Sequence, residues 1–131
     1  MYLLDTDILV GFLRNDPHAI SKIQTLLKEG GIGYISSINI HEIIKGAHLS
    51  KNTEKNLEKI RTLVQSLNLL SFNNQNAFLS GKLSAEQEKK GIFSTQNDMF
   101  IAAVAVQNQF ILITKNKKHF QSIHGLRIEE W

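Results

Sequence analysis

The sequence predicts an α/β domain, a mostly parallel sheet with helices over both faces, spanning residues 1–131 as a single unit. Three observations predict it. Short apolar stretches that read as buried strands alternate with longer stretches of helical spacing. The short stretches are bounded by Gly, Asn, Ser or Lys, as strands usually are. A chain of 131 residues with 42% hydrophobic content can bury one core without disulfides or metals to staple it.

The elements follow in order. Residues 2–4, "YLL", form the first expected strand, and a helix runs from Ile8 to Arg14 until "NDP" stops it. Thr6 or Asp7 would cap that helix, because a short oxygen-bearing side chain there satisfies otherwise orphaned N–H groups. Pro17 suits a first helical turn, so a second helix spans Pro17 to Lys28 and ends at Gly30 and Gly31. "GYIS" at 33–36 is the second strand, followed by a helix from Ser37 to about Ala47. A longer helix spans about Asn52 to Leu67, with Leu57, Ile60, Val64 and Leu67 on one stripe. "NLLSF" at 68–72 is the third strand, and Ala77 to Lys90 the next helix. Residues Asn97 to Gln107 are apolar on most sides, which places that helix inside the fold with Asp98 in its first turn. "FILIT" at 110–114 and the weaker "LRI" at 126–128 complete the sheet. Right-handed crossovers join parallel strands, and ligands of such sheets lie beyond the strands' carboxyl ends. Asp5, Ser36, Thr114 and Asn116 fall at those ends.

Several function classes drop out. The longest apolar run, Met99 to Val106, is far shorter than the roughly 18 residues a membrane-spanning helix needs. No basic stretch followed by an apolar one precedes Asp5, so no secretory signal is expected. Cysteine is absent, which excludes thiol chemistry and fits a cytoplasmic protein. Fifteen Lys and Arg against 12 acidic residues give +3, a mild charge that permits an anionic partner without demanding one.

The chemistry concentrates in "LLDTDILVGFL". One cap explains one aspartate, whereas an unpaired carboxylate at the end of a buried strand is costly unless a cation or hydrogen-bond donors compensate it. Asp5 is therefore a candidate functional acid. D-x-D before apolar residues resembles the first motif of haloacid-dehalogenase-type phosphatases, with Asp5 as nucleophile. That family also needs acids after its fourth strand, and "ITKNKKHF" has none. Asp98 comes from a distant element, at a helix start where a carboxylate is favoured by the dipole. By periodicity alone, Glu42 is a solvated helix residue, since Ile40, Ile43, Ile44 and Ala47 define the core face. "HEIIK" carries Lys45 where the zinc-protease motif needs its second histidine, "GKLS" at Gly81 to Ser84 lacks a P-loop's upstream glycines, and the five histidines have no cysteine partners for a structural zinc.

Taken together, "LLDTDILVGFL", "ISSINIHEIIKGA" and "NDMFIAAVAVQNQFILITKNKKHF" resemble the PIN-domain ribonucleases, and among them the VapC-like toxins, over essentially the whole chain. The resemblance implies a three-layer α/β/α fold with about five central strands. It implies that Asp5, Glu42 and Asp98 converge around Mg²⁺ or Mn²⁺, that Thr6 and Thr114 support them by hydrogen bonds, and that Asp7 is a cap or outer group. Asn116 stands where many relatives carry a fourth acid, so it joins the catalytic set as a neutral ligand or water-orienting amide and leaves a second metal open. The implied reaction is hydrolysis of RNA by an activated water in line with the scissile bond, leaving a 5′-phosphate and a 3′-hydroxyl. Lys115, Lys117 and Lys118 beyond the fourth strand are candidate phosphate contacts. A homodimer and a small VapB-like antitoxin are the implied partners. The rival readings are the small phosphatase and a PIN-like module that only binds RNA or a partner, its site disabled by Asn116.

Overall fold

A computed structural model describes residues 1–131. Five parallel strands run β1 (Tyr2–Leu4), β2 (Gly33–Ser36), β3 (Asn68–Leu70), β4 (Ile111–Ile113) and β5 (Arg127–Glu129), ordered β3-β2-β1-β4-β5 across the sheet. The helices are α1 (Thr6–Leu13), α2 (Pro17–Lys28), α3 (Ser37–His48), α4 (Thr53–Gln65), α5 (Asn74–Lys89), α6 (Gln96–Gln107) and α7 (Lys117–Phe120). The predicted sheet-and-helix order is therefore observed, and α7 is an additional short turn of helix in what read as a loop.

Alternation along the strands divides the core into two layers. Leu3 and Leu112 face a cluster completed by the apolar side of α6, Leu83 of α5, and Phe120. Leu4, Ile35 and Ile113 face the opposite side, where α1 to α4 contribute Ile8, Leu26, Ile43 and Ile60 among others. The α6 run Ile101–Ala105 is buried throughout, as a helix apolar on most sides must be. No helix is long and apolar enough to cross a membrane.

Local chemistry sets the helix starts. Asp16 caps α2 ahead of Pro17, accepting from the His18 N–H at 2.8 Å. Ser36 and Asn39 form a reciprocal capping box at α3, and Asn73 and Asn76 form another at α5. The second box starts α5 at Asn74, three residues before the predicted Ala77, because Asn76 replaces the Glu or Gln usual at that position. The first helix also starts earlier than expected, at Thr6, and its cap is Asp5 rather than Thr6 or Asp7. The third strand is shorter than expected, ending at Leu70, level with Ser36 of its only neighbour.

β1 lies centrally, with β2 on one side and β4 on the other. Chain direction across the sheet reverses there, so the carboxyl ends of β1 and β4 open a crevice that crossovers do not cover. Asp5 and Thr114 follow those two ends directly.

Candidate active site

Asp5 carries β1 into α1. Its N–H donates to the Ile113 carbonyl at 3.0 Å, continuing the sheet, while its Oδ1 accepts from the Thr6 N–H at 2.7 Å as the helix begins. The same carboxylate accepts at Oδ2 from Thr114 Oγ1 at 2.7 Å. Only 5% of Asp5 is exposed. Burial, reinforced by the charges of Asp7 and Glu42, pushes its carboxyl up to about 7, against hydrogen bonds from Thr114 and Thr6 that favour ionisation.

Glu42 turns inward, contrary to its periodicity. Its two oxygens accept from Thr6 Oγ1 and from Asn97 Nδ2, the latter at 2.8 Å. Thr6 thus joins two acids, its backbone N–H serving Asp5 and its hydroxyl serving Glu42, while Asn39 Nδ2 donates to that hydroxyl at 3.1 Å. Side-chain partners outside α3 override the solvent preference that the helical pattern implied.

Asp98 arrives from the opposite core layer. Its N–H donates to Thr95 Oγ1 at 3.2 Å, fixing the first turn of α6. Its Oδ2 is buried without a hydrogen-bond partner. His119 Nδ1 of α7 stands 3.3 Å away, an approach that becomes an ion pair only on protonation of the ring.

Asp5, Glu42, Asp98 and Asn116 line one open cleft of about 730 Å³, together with Thr6 and Asp7. No three acidic or histidine side chains form a preformed cation cage within it. The donor set nevertheless suits a hard divalent cation: the oxygens are carboxylate, one is buried and orphaned, and the most buried acid has only hydrogen bonds to offset its charge.

Asp7 accepts from the Lys115 N–H at 2.7 Å, from Trp131 Nε1 at 2.9 Å, and more distantly from Thr114 Oγ1 at 3.2 Å. The Thr114 hydroxyl has one proton, so its shorter contact to Asp5 is the favoured donation. Asn116 faces the cleft through an exposed side chain, and its N–H donates to Thr114 Oγ1 at 2.9 Å. Of the three candidate lysines, Lys115 alone lines the cleft, with its ammonium 3.5 Å from the Trp131 ring centroid and 3.9 Å from Asp16. Lys117 pairs with Glu130 instead, and Lys118 also lies outside the cleft. Their place on α7 turns them away from the site that their sequence positions suggested. Sequence reasoning missed Asn97, Trp131, Arg14 and Lys45 as lining residues. For Asn97 the signal was adjacency to Asp98, while Trp131 carried none.

The model of the PIN-domain family matches residues 2–126. The chain belongs to the PIN-domain family. It is 33% identical over 131 residues to ribonuclease VapC2 of Rickettsia felis, covering 100% of this chain and 98% of the relative. It is 32% identical over 130 residues to the tRNA(fMet)-specific endonuclease VapC of Salmonella typhimurium, covering 99% of this chain and 97% of that one. The solved VapBC2 complex of Rickettsia felis, bound to a fragment of its promoter DNA, aligns with a TM-score of 0.91 and 32% identity, covering 99% of this PIN domain and 98% of the matched chain. The dehalogenase-type phosphatase reading finds no support: no acid follows β4 before α7, and the matches are to PIN-domain ribonucleases.

Proposed function

We infer that this PIN domain is a divalent-metal-dependent endoribonuclease, the toxin of a toxin–antitoxin pair acting in the cytoplasm. The observation that carries the reading is one cleft, at the switch point of the sheet, lined by acids from β1–α1, α3 and α6, in a chain matching VapC ribonucleases from end to end. Asp5, Glu42 and Asp98 would hold Mg²⁺ or Mn²⁺. The bound cation would supply Lewis acidity toward water and phosphoryl oxygen. Thr6 and Thr114 fix the rotamers of Asp5 and Glu42, so that these carboxylates need little reorganisation to engage a cation. Asn97 orients the second oxygen of Glu42. Asn116 contributes an amide without charge at the mouth of the cleft.

The partner would be a VapB-like antitoxin, in keeping with the VapBC2 complex of the Rickettsia relative, and the toxin would form a homodimer. An apolar groove of about 540 Å³ between α1, α2 and α4, with Phe12, Leu27 and Ile32 exposed along it, suits the apolar face of such a peptide.

Cleavage of transfer RNA by the wild type and by Asp98→Ala, with Mn²⁺ or with chelator, tests the reading. Cleavage by the wild type with Mn²⁺ alone is the expected result. Activity that survives both the substitution and the chelator would overturn the metal mechanism.

A further inference from the structure

We propose that RNA leaves the carboxylates along a basic groove between α1 and the α3–α4 pair, where Arg14, Lys45 and Lys59 bind backbone phosphates over the bare surface of Gly46. The proposal rests on the ribonuclease reading and names a binding track for it. The acidic cleft does not end at Glu42. It shares Arg14, Glu42 and Gly46 with an adjoining cavity of about 160 Å³ that runs between the helices to Lys59.

Acids that grip a cation repel a polyanion, so cationic side chains must draw the flanking phosphates in. Lys115, the other lysine lining the cleft, is already engaged by Asp16 and Trp131, and outside the cleft Lys117 pairs with Glu130 and Lys22 with Glu129. Arg14, Lys45 and Lys59 are exposed and take part in no ion pair. Each lines the acidic cleft or its extension, and Arg14 lines both.

Gly46 points to the same track. It sits inside α3, exposed, and a Cβ built on it meets nothing within 4 Å. Internal packing therefore does not call for glycine there, although glycine in a helix interior costs about 1 kcal/mol relative to alanine. Its position at the junction of the two cavities suits close approach by the backbone of a ligand. On the wall, Asn56 Nδ2 donates to Ser50 Oγ at 2.8 Å and the Ser50 hydroxyl donates to the Ala47 carbonyl at 2.6 Å, so the Ser50 proton is already committed and the exposed cations are the groups suited to phosphate.

The test measures binding of unfractionated transfer RNA across a salt series, in the Asp98→Ala background so that the probe stays intact. Replacing Arg14, Lys45 and Lys59 together by Gln is expected to weaken binding at least tenfold and to lower the slope of log K against log salt by about 2. A matched triple, Lys28→Gln, Lys82→Gln and Lys89→Gln, removes the same charge elsewhere and should leave most of the slope intact. Gly46→Leu should weaken binding at least tenfold while melting at or above the parent temperature, because leucine is the better helix former. Equal effects of the two triples, or unchanged RNA binding with loss confined to a partner peptide, would overturn the track. Parallel cleavage assays keep the two readings apart. A protein that binds through the groove but never cleaves overturns the ribonuclease reading and supports the track, whereas one that cleaves with the groove triple unimpaired does the reverse.

Discussion

Asp5→Asn should make the chelated protein more stable at pH 8 while abolishing cleavage. In the fold the Asp5 carboxyl is raised from 3.8 to about 7, chiefly by burial. Between those values the folded chain holds a proton that the unfolded chain has released. Stability from this group is therefore complete below about pH 4 and is lost as pH rises to about 7. The gap sets a ceiling of about 4 kcal/mol, which water entering the cleft on ionisation reduces. Asparagine removes the charge and keeps the bonding pattern. Its carbonyl can accept from the Thr6 N–H, its amide can donate to Thr114 Oγ1, and the freed Thr114 proton can turn to Asp7 Oδ2, now 3.2 Å away. Melting curves in chelator should show the variant matching the wild type only near pH 4 and below, pulling ahead as pH rises, and exceeding it at pH 8 by roughly 5 °C or more. Adding Mn²⁺ at pH 8 should raise the wild type and narrow the difference. A variant destabilised equally at both pH values would refute the reasoning, because the buried charge would then carry no cost.

Three further outcomes follow from neighbouring contacts. Asp7→Ala strands the Lys115 N–H and the Trp131 indole N–H, and should cost about 1–3 kcal/mol in urea unfolding at pH 7. Gly11→Ala should destabilise by about 1–3 kcal/mol in the same assay, since its Cβ would meet Trp131 Cη2 at 2.8 Å and Ala19 Cβ at 2.9 Å. Asn116→Asp adds a carboxylate at the cleft mouth and should tighten Mn²⁺ binding by calorimetry, with unchanged affinity counting against a place for Asn116 near the cation.

The layered α/β fold is legible in the chain alone, as are the exceptional place of Asp5 and the helix-start place of Asp98, because these are written in local patterns. Strand runs such as "YLL" and "GYIS" and the apolar helix after Asp98 need no distant information to be recognised, since burial on both sides leaves few polar residues in them. Asp5 was legible as costly at a strand end, and Asp98 as a first-turn acid. Glu42 was not legible from periodicity: its turn inward depends on Thr6 and Asn97, which are 36 and 55 residues away along the chain. Which cations reach the cleft depends on how the helices pack. Lys117 and Lys118 lie beside the site in sequence, yet α7 carries them out of it, while Arg14 and Lys45 arrive from helices packed on the other face. The Asp7–Trp131 bond is likewise invisible to any local rule, because 124 residues separate partners that the sheet brings within 2.9 Å. Local spacing fixes which face of an element is apolar; which polar groups meet above the sheet depends on how the strands are ordered.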